Sequence, residues 1–139
     1  MKSLYCLLRE RCGLSIREAA SFHDVPNDTV VSWSSGRRNA PAGVIAELRE
    51  LHATIERAAT HGVKEIETLI SNQHPESIEI GIAADDHEAQ QLGFPCVGAQ
   101  AAALGRIAAL VDVPIRIVPR GSTAPTAAAA DSHDRDVTR

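Results

Sequence analysis

A mainly α fold, with an N-terminal helical bundle, a long helix and a small strand–helix–strand unit, is predicted by three features of this 139-residue sequence. Apolar residues recur at helical spacing through the first half, punctuated by capping and stop residues. Two short stretches further on, 77–82 and 113–118, alternate apolar and polar residues with period two, the signature of strands. The aromatic set is only Tyr5, Phe22, Trp33 and Phe94, so the core must be built from Leu, Ile, Val and Ala, a composition that favours helix.

The elements follow in order. A first helix is expected over 3–12, with Leu4, Leu7, Leu8 and Cys12 on one face and Gly13 as its stop. Ser15 and Glu18 form an S-x-x-E capping box for a second helix carrying Ala19, Ala20 and Phe22. His23, Asp24, Val25 and Pro26 make a turn, and a third helix runs from Asn27 to the stop at Gly36. Pro41 suits the first position of a fourth helix, whose apolar face is Val44, Ile45, Leu48, Leu51 and Ile55. Gly62 is expected to interrupt this helix before it resumes with Ile66, Leu69 and Ile70. A strand over 77–82, an Ala-rich helix over 98–110 and a strand over 113–118 form an α/β unit too thin to stand alone. It is expected to complete its core against the long helix or another subunit. The domain reading is 1–62 for the bundle, 63–120 for the α/β unit and 121–139 for a disordered tail without residues to bury.

The longest apolar stretch, 99–111, is broken by Gly105 and Arg106 and is too short to cross a bilayer. No membrane association is expected, and no basic-then-apolar leader opens the chain, which points to the cytoplasm. Cys6, Cys12 and Cys96 are odd in number and form no CxxC pair, the pattern of reduced thiols used as small apolar residues. The run Asp85-Asp86-His87-Glu88 has metal-ligand chemistry but also the acidic character of a helix N-terminus, and no second ligand cluster supports it. Phosphate loops, nucleophile elbows and HExxH are absent from the sequence. Neither catalysis nor a cofactor is expected.

The net charge of −4 argues against nucleic acid until its distribution is considered. Residues 1–40 carry Lys2, Arg9, Arg11, Arg17, Arg37 and Arg38 against Glu10, Glu18, Asp24 and Asp28, whereas residues 53–139 carry twelve acidic and seven basic side chains. A mildly basic head on an acidic body is compatible with DNA held at one end. Helices two and three have the requirements of a helix-turn-helix. Ala19 and Ala20 are small enough for a helix crossing, Val25, Val30 and Trp33 face inward, and residues 23–26 hold the angle.

Residues 8–41, L-R-E-R-C-G-L-S-I-R-E-A-A-S-F-H-D-V-P-N-D-T-V-V-S-W-S-S-G-R-R-N-A-P, resemble the lambda-repressor-like, Cro/CI-type (XRE) helix-turn-helix family. The resemblance is carried by G-L-S at 13–15, E-A-A at 18–20, T-V-x-x-W at 29–33 and G-R-R at 36–38. Two positions depart from the family: Asp24 stands where Gly is common, and Ile16 where a Gln often contacts phosphate, a role left to Arg17. The resemblance implies double-stranded DNA as the partner, with Asn27, Asp28, Val31 and Ser32 at base edges. It places Arg37 and Arg38 on phosphates and a backbone N–H of Ser15 on another. Asn27 and Asp28 also have the chemistry of simple helix caps.

The order of elements is similar to that of the anti-CRISPR-associated autorepressors and their bacterial relatives. That similarity implies a homodimer built through about 63–118 on an inverted repeat, with Gly98, Ala102, Gly105 and Ala109 as a close-packing stripe. The expected function is a dimeric transcriptional repressor. The alternatives are an antitoxin whose acidic half binds a toxin, and an interaction protein that has lost DNA binding.

Overall fold

The computed structural model describes residues 1–120; the tail read over 121–139 lies outside the described residues. The chain is mainly α with a small two-stranded sheet. Its elements are α1 (Leu4–Arg11), α2 (Ile16–His23), α3 (Asn27–Ser35), α4 (Ala42–Gln73), β1 (Ile78–Ile82), α5 (Asp86–Gln91), α6 (Val97–Leu110) and β2 (Ile115–Pro119).

Helix α1 buries only part of the face expected, with Cys12 in the core and Leu8 packed against it. Tyr5, Cys6, Arg9 and Cys12 point inward, while Leu4 and Leu7 are more than half exposed. The rotation follows from two polar anchors. Ser3 caps α1 by accepting the Cys6 N–H, and its hydroxyl lies within hydrogen-bond range of the Trp33 and Ser34 carbonyls at the end of α3. One turn on, the Arg9 guanidinium donates to the Leu14 carbonyl at 2.6 Å and to the Ser34 hydroxyl at 3.3 Å. Ser3 satisfies backbone groups that helix ends leave orphaned, and Arg9 satisfies a carbonyl of the α1–α2 turn.

Helix α4 runs unbroken for 32 residues, so the interruption expected at Gly62 does not occur. Gly62 serves packing instead. A β-carbon there would lie 2.5 Å from the Ile107 δ-methyl of α6, and the bare glycine lets the two helices close together. Pro41 is the N-cap residue, one position ahead of the helical start expected for it. The N-terminal half of α4 supplies Leu48, Leu51 and Ile55 to a core shared with Tyr5, Leu14, Ala19, Val30 and Trp33. Its C-terminal half supplies Ala59 and Ile66 to a second core with Ile78 and Ile107.

Strands β1 and β2 pair in parallel, Ile78 with Ile115 through Ile82 with Pro119, joined by a crossover that contains α5 and α6. Parallel strands require such a connection. One face carries Ile78, Ile80 and Ile115 against the second core. The opposite face carries a cross-strand ion pair between Glu79 and Arg116.

The α/β unit packs against the bundle of the same chain. Cys96, Ala99 and Ala103 of the α6 segment are buried in the bundle core. The first turn of α6 meets the α1–α2 turn so closely that a β-carbon on Gly98 would lie 2.2 Å from the Gly13 carbonyl oxygen, and one on Gly13 2.3 Å from the Gly98 carbonyl oxygen. Gly13 also has φ +76°. The stripe assigned to a subunit contact therefore divides: Gly98 and Ala102 pack against Gly13 of the same chain, and only Gly105 and Ala109 look outward. Arg106 strengthens the docking by pairing with Glu56 of α4 and donating to the Arg11 carbonyl at 3.0 Å.

Candidate nucleic-acid interface

Helix α2 begins with the capping box read from the sequence. The Ser15 hydroxyl accepts the Glu18 N–H at 3.1 Å, and the Ser15 N–H donates to Glu18 Oε1 at 2.9 Å. The second bond corrects the expectation that this N–H is offered to a phosphate, because it is already spent on the carboxylate. The amides of Ile16 and Arg17, which have no acceptor within the helix, are the ones the N-terminus of α2 presents outward. The second oxygen of Glu18 accepts the Gly98 N–H at 3.0 Å, so one carboxylate serves the first turns of α2 and α6. Burial pushes its pKa upward, but the hydrogen bonds from Ser15, Gly98 and Cys96 outweigh it and hold the group below the usual range.

The turn between α2 and α3 is closed by Asp24 at φ 58°, ψ 52°, in the left-handed region. The Val25 N–H donates to the Ala20 carbonyl at 2.9 Å, the long-range bond of a Schellman closure. Asp tolerates this conformation better than most residues, which is why it can close the turn without a glycine.

Behind the turn, the His23 side chain is fully buried, with Nδ1 3.2 Å from Glu47 Oε1 of α4. Its ring packs with Tyr5, Phe22 and Trp33 at centroid distances of 5.7, 5.1 and 5.9 Å. Tyr5 Oη and His23 Nε2 are buried without a partner among the described residues. Burial pushes the Tyr5 phenol up to about 12. The cluster locks α1, α2, α3 and α4 together directly under the turn.

Helix α3 starts after Pro26, which is the N-cap and contributes no side-chain cap. Asn27 and Asp28 occupy the first two helical positions with exposed side chains, so neither is the N-cap. Val31 lies on the same surface and is 45 % exposed, whereas Val30 and Trp33 are buried on the opposite side. Ser32 departs from the expectation of a base contact. It is 3 % exposed, and its hydroxyl accepts from the Arg37 guanidinium, so it belongs to the wall that supports the loop.

That loop, 36–40, turns at Gly36 with φ +82° and folds back so that the Arg38 N–H donates to the Ser32 carbonyl at 3.2 Å. Arg37 and Arg38 are both exposed beside the C-terminal end of α3. Arg17 is exposed on α2, with Asp86 of α5 at 3.9 Å as its nearest ion-pair partner. Seven of the eight residues singled out from the sequence are thus on the surface, in α2, α3 or the turns flanking them, and the eighth is a buried support.

The acidic run beyond β1 is structural. Asp85 caps α5 by accepting the Glu88 N–H, and Asp86 accepts the Val97 N–H at the start of α6. No group of three or more His, Cys, Asp or Glu side chains converges as a metal site among the described residues. No helix among them is long and apolar enough to cross a membrane. Sequence reasoning missed Ser3, Arg9 and the second bond of Glu18. For Arg9 a signal existed, since it lies four residues after Tyr5 and three before Cys12, on the stripe that is buried. No known family model matches the chain, and a comparison with curated proteins finds no match.

Proposed function

We propose that this protein is a sequence-specific DNA-binding regulator of transcription, a homodimeric repressor of the XRE type that reads an inverted repeat through α3. The observation that carries the reading is the outer surface of α3. Asn27, Asp28 and Val31 stand exposed on a helix whose other face is locked into the core, and the amides of Asn27 and Asp28 lack intrahelical acceptors. Arg17 is exposed on α2, and Arg37 and Arg38 are exposed just past the C-terminal end of α3. A rigid helix offering an amide, a carboxylate and a branched methyl group has the donors, acceptors and apolar contact that major-groove edges discriminate. The guanidinium groups have the chemistry to grip phosphates and set the register.

One such head makes few base contacts, and specific affinity comes from two heads spaced by about 34 Å on a two-fold site. The acidic remainder of the chain repels DNA, which restricts binding to the head.

The test is a pair of substitutions measured on a selected duplex and on scrambled DNA. Asn27→Ala should weaken the selected duplex by roughly 1–3 kcal/mol and relax the preference at one base pair. Arg38→Ala should weaken both duplexes alike and reduce the salt dependence by about one counterion per head. Unchanged affinity in both variants would refute the docking of α3.

A further inference from the structure

The outer edge of β2 has the hydrogen-bonding pattern of an interface. Ile78 N–H donates to the Pro114 carbonyl and Arg120 N–H to the Ile82 carbonyl, both at 2.9 Å. With the parallel register from Ile78↔Ile115 to Ile82↔Pro119, these end bonds fix the direction of every peptide in the strand. Arg116 and Val118 turn their N–H and C=O groups toward β1. Ile115 and Ile117 turn theirs away, as Pro119 does its carbonyl, and no described strand lies on that side. A two-stranded parallel sheet ending in such an edge is incomplete. The side chains agree with the backbone: Ile117 is 44 % exposed, and Leu110, at the end of α6, is 68 % exposed.

We infer that β2 pairs antiparallel with β2 of a second copy about a two-fold axis through Ile117, giving a continuous four-stranded sheet. Three two-fold registers can be compared by their bonds and charges. Centred on Ile117, the two Ile117 residues exchange both backbone bonds and each Ile115 N–H donates to the other copy's Pro119 carbonyl. Every outward donor is then used, and the only loss is at Pro119, whose nitrogen has no hydrogen to give to the other copy's Ile115 carbonyl. Arg116 faces Val118 of the second copy. Centred on Arg116, the bond count is equal, but two guanidinium groups stand directly opposite each other, an unfavourable cross-strand pair. Centred on Val118, the missing N–H of Pro119 removes half of the bonds. The Ile117 register also sets the two exposed isoleucines together on the sheet face that already covers the second core. The other edge, along β1, belongs to a strand whose residues are all buried or half-buried, so β2 is the barer of the two.

This deepens the dimeric reading above by naming its surface. The test is made without DNA, so its failure leaves the reading of α3 standing. Ile117→Cys is oxidised in dilute solution and run on a non-reducing gel, with Pro119→Cys as control. A hydrogen-bonded antiparallel pair sets Cα atoms about 5.5 Å apart, within disulfide reach. Position 119 is offset from its own copy by four residues, or roughly 13 Å. The native thiols are all buried. The expected result is a covalent dimer at 117 and none at 119. In sedimentation velocity the wild type should dissociate on dilution as a dimer does, while Ile117→Pro, which deletes an N–H that β1 does not use, should stay monomeric with an unchanged circular dichroism spectrum. A wild type that is monomeric at every concentration, or a dimer that survives Ile117→Pro and does not crosslink at 117, would overturn the assignment.

Discussion

Glu18 ties the first turn of α2 to the first turn of α6, and Glu18→Gln isolates its role. The two carboxylate oxygens accept different backbone donors, Ser15 N–H at 2.9 Å and Gly98 N–H at 3.0 Å. Glutamine keeps the shape but has one acceptor. Its amide nitrogen must then face one of the two N–H groups, donor against donor. Hydrogen bonds to a charged group contribute about 1.5–3 kcal/mol each, and an unsatisfied buried donor costs a similar amount. Only the Gly98 bond is partly buried, so the expected loss is about 2 kcal/mol. For a chain of this size that lowers Tm by roughly 6–10 °C.

The pH dependence is an independent check on the same carboxylate. Its pKa is depressed in the folded protein, so its contribution is fully present above the ordinary Glu value of about 4.3 and is lost as pH falls through the lower, folded value. Urea unfolding of wild type and Glu18→Gln at neutral pH and at a series of falling acid pH values measures both effects. The difference in stability should shrink toward zero in acid. A variant within about 0.5 kcal/mol of wild type at neutral pH, or a difference that does not change in acid, would refute the bridging role.

The glycine crossing predicts that Gly98→Ala, whose β-carbon would lie 2.2 Å from the Gly13 carbonyl oxygen, destabilises by roughly 2–3 kcal/mol despite alanine's better helix propensity; a gain in Tm would contradict the contact. Tyr5→Phe removes a buried hydroxyl that has no partner among the described residues, so thermal unfolding should show no loss or a gain of up to about 1 kcal/mol. A loss above about 1 kcal/mol would mean that the hydroxyl is bonded. Arg9→Met leaves the Leu14 carbonyl, now bonded at 2.6 Å, without its donor, and should cost about 1–3 kcal/mol in urea denaturation. An unchanged midpoint would show that the α1–α2 turn holds without it.

The elements that were legible in the sequence are those set by local chemistry. Ser15 and Glu18 announced the start of α2, Gly36 the end of α3, and the alternation at 77–82 and 113–118 the two strands, because caps, left-handed stops and period-two burial are each decided within a few residues. Where tertiary contacts decide, the reading failed. Gly62 is a helix breaker only by propensity, and the fit of Ile107 against it overrides that. Leu4 and Leu7 form as good a stripe as Tyr5, Arg9 and Cys12, and the choice rests on Ser3 and Arg9 reaching the end of α3, 25 to 31 residues away in sequence. The same applies to the site. Asn27, Asp28 and Val31 face outward because Val30 and Trp33 face in, a periodicity that the sequence displays. Ser32 follows that exposed surface by one position, and only the fold-back of Arg37 shows it to be a support.

Selection from a random duplex library, followed by fluorescence anisotropy of the recovered sequence against a scrambled one over a range of salt, tests the central claim most directly. With Arg17, Arg37 and Arg38 from two heads on phosphates, the protein should recover an inverted repeat, bind it in strong preference to the scrambled duplex, and lose affinity with a log–log salt slope of about −5. Recovery of no consensus, or equal affinity for both duplexes at every salt concentration, would contradict the assignment of α3 as a recognition helix.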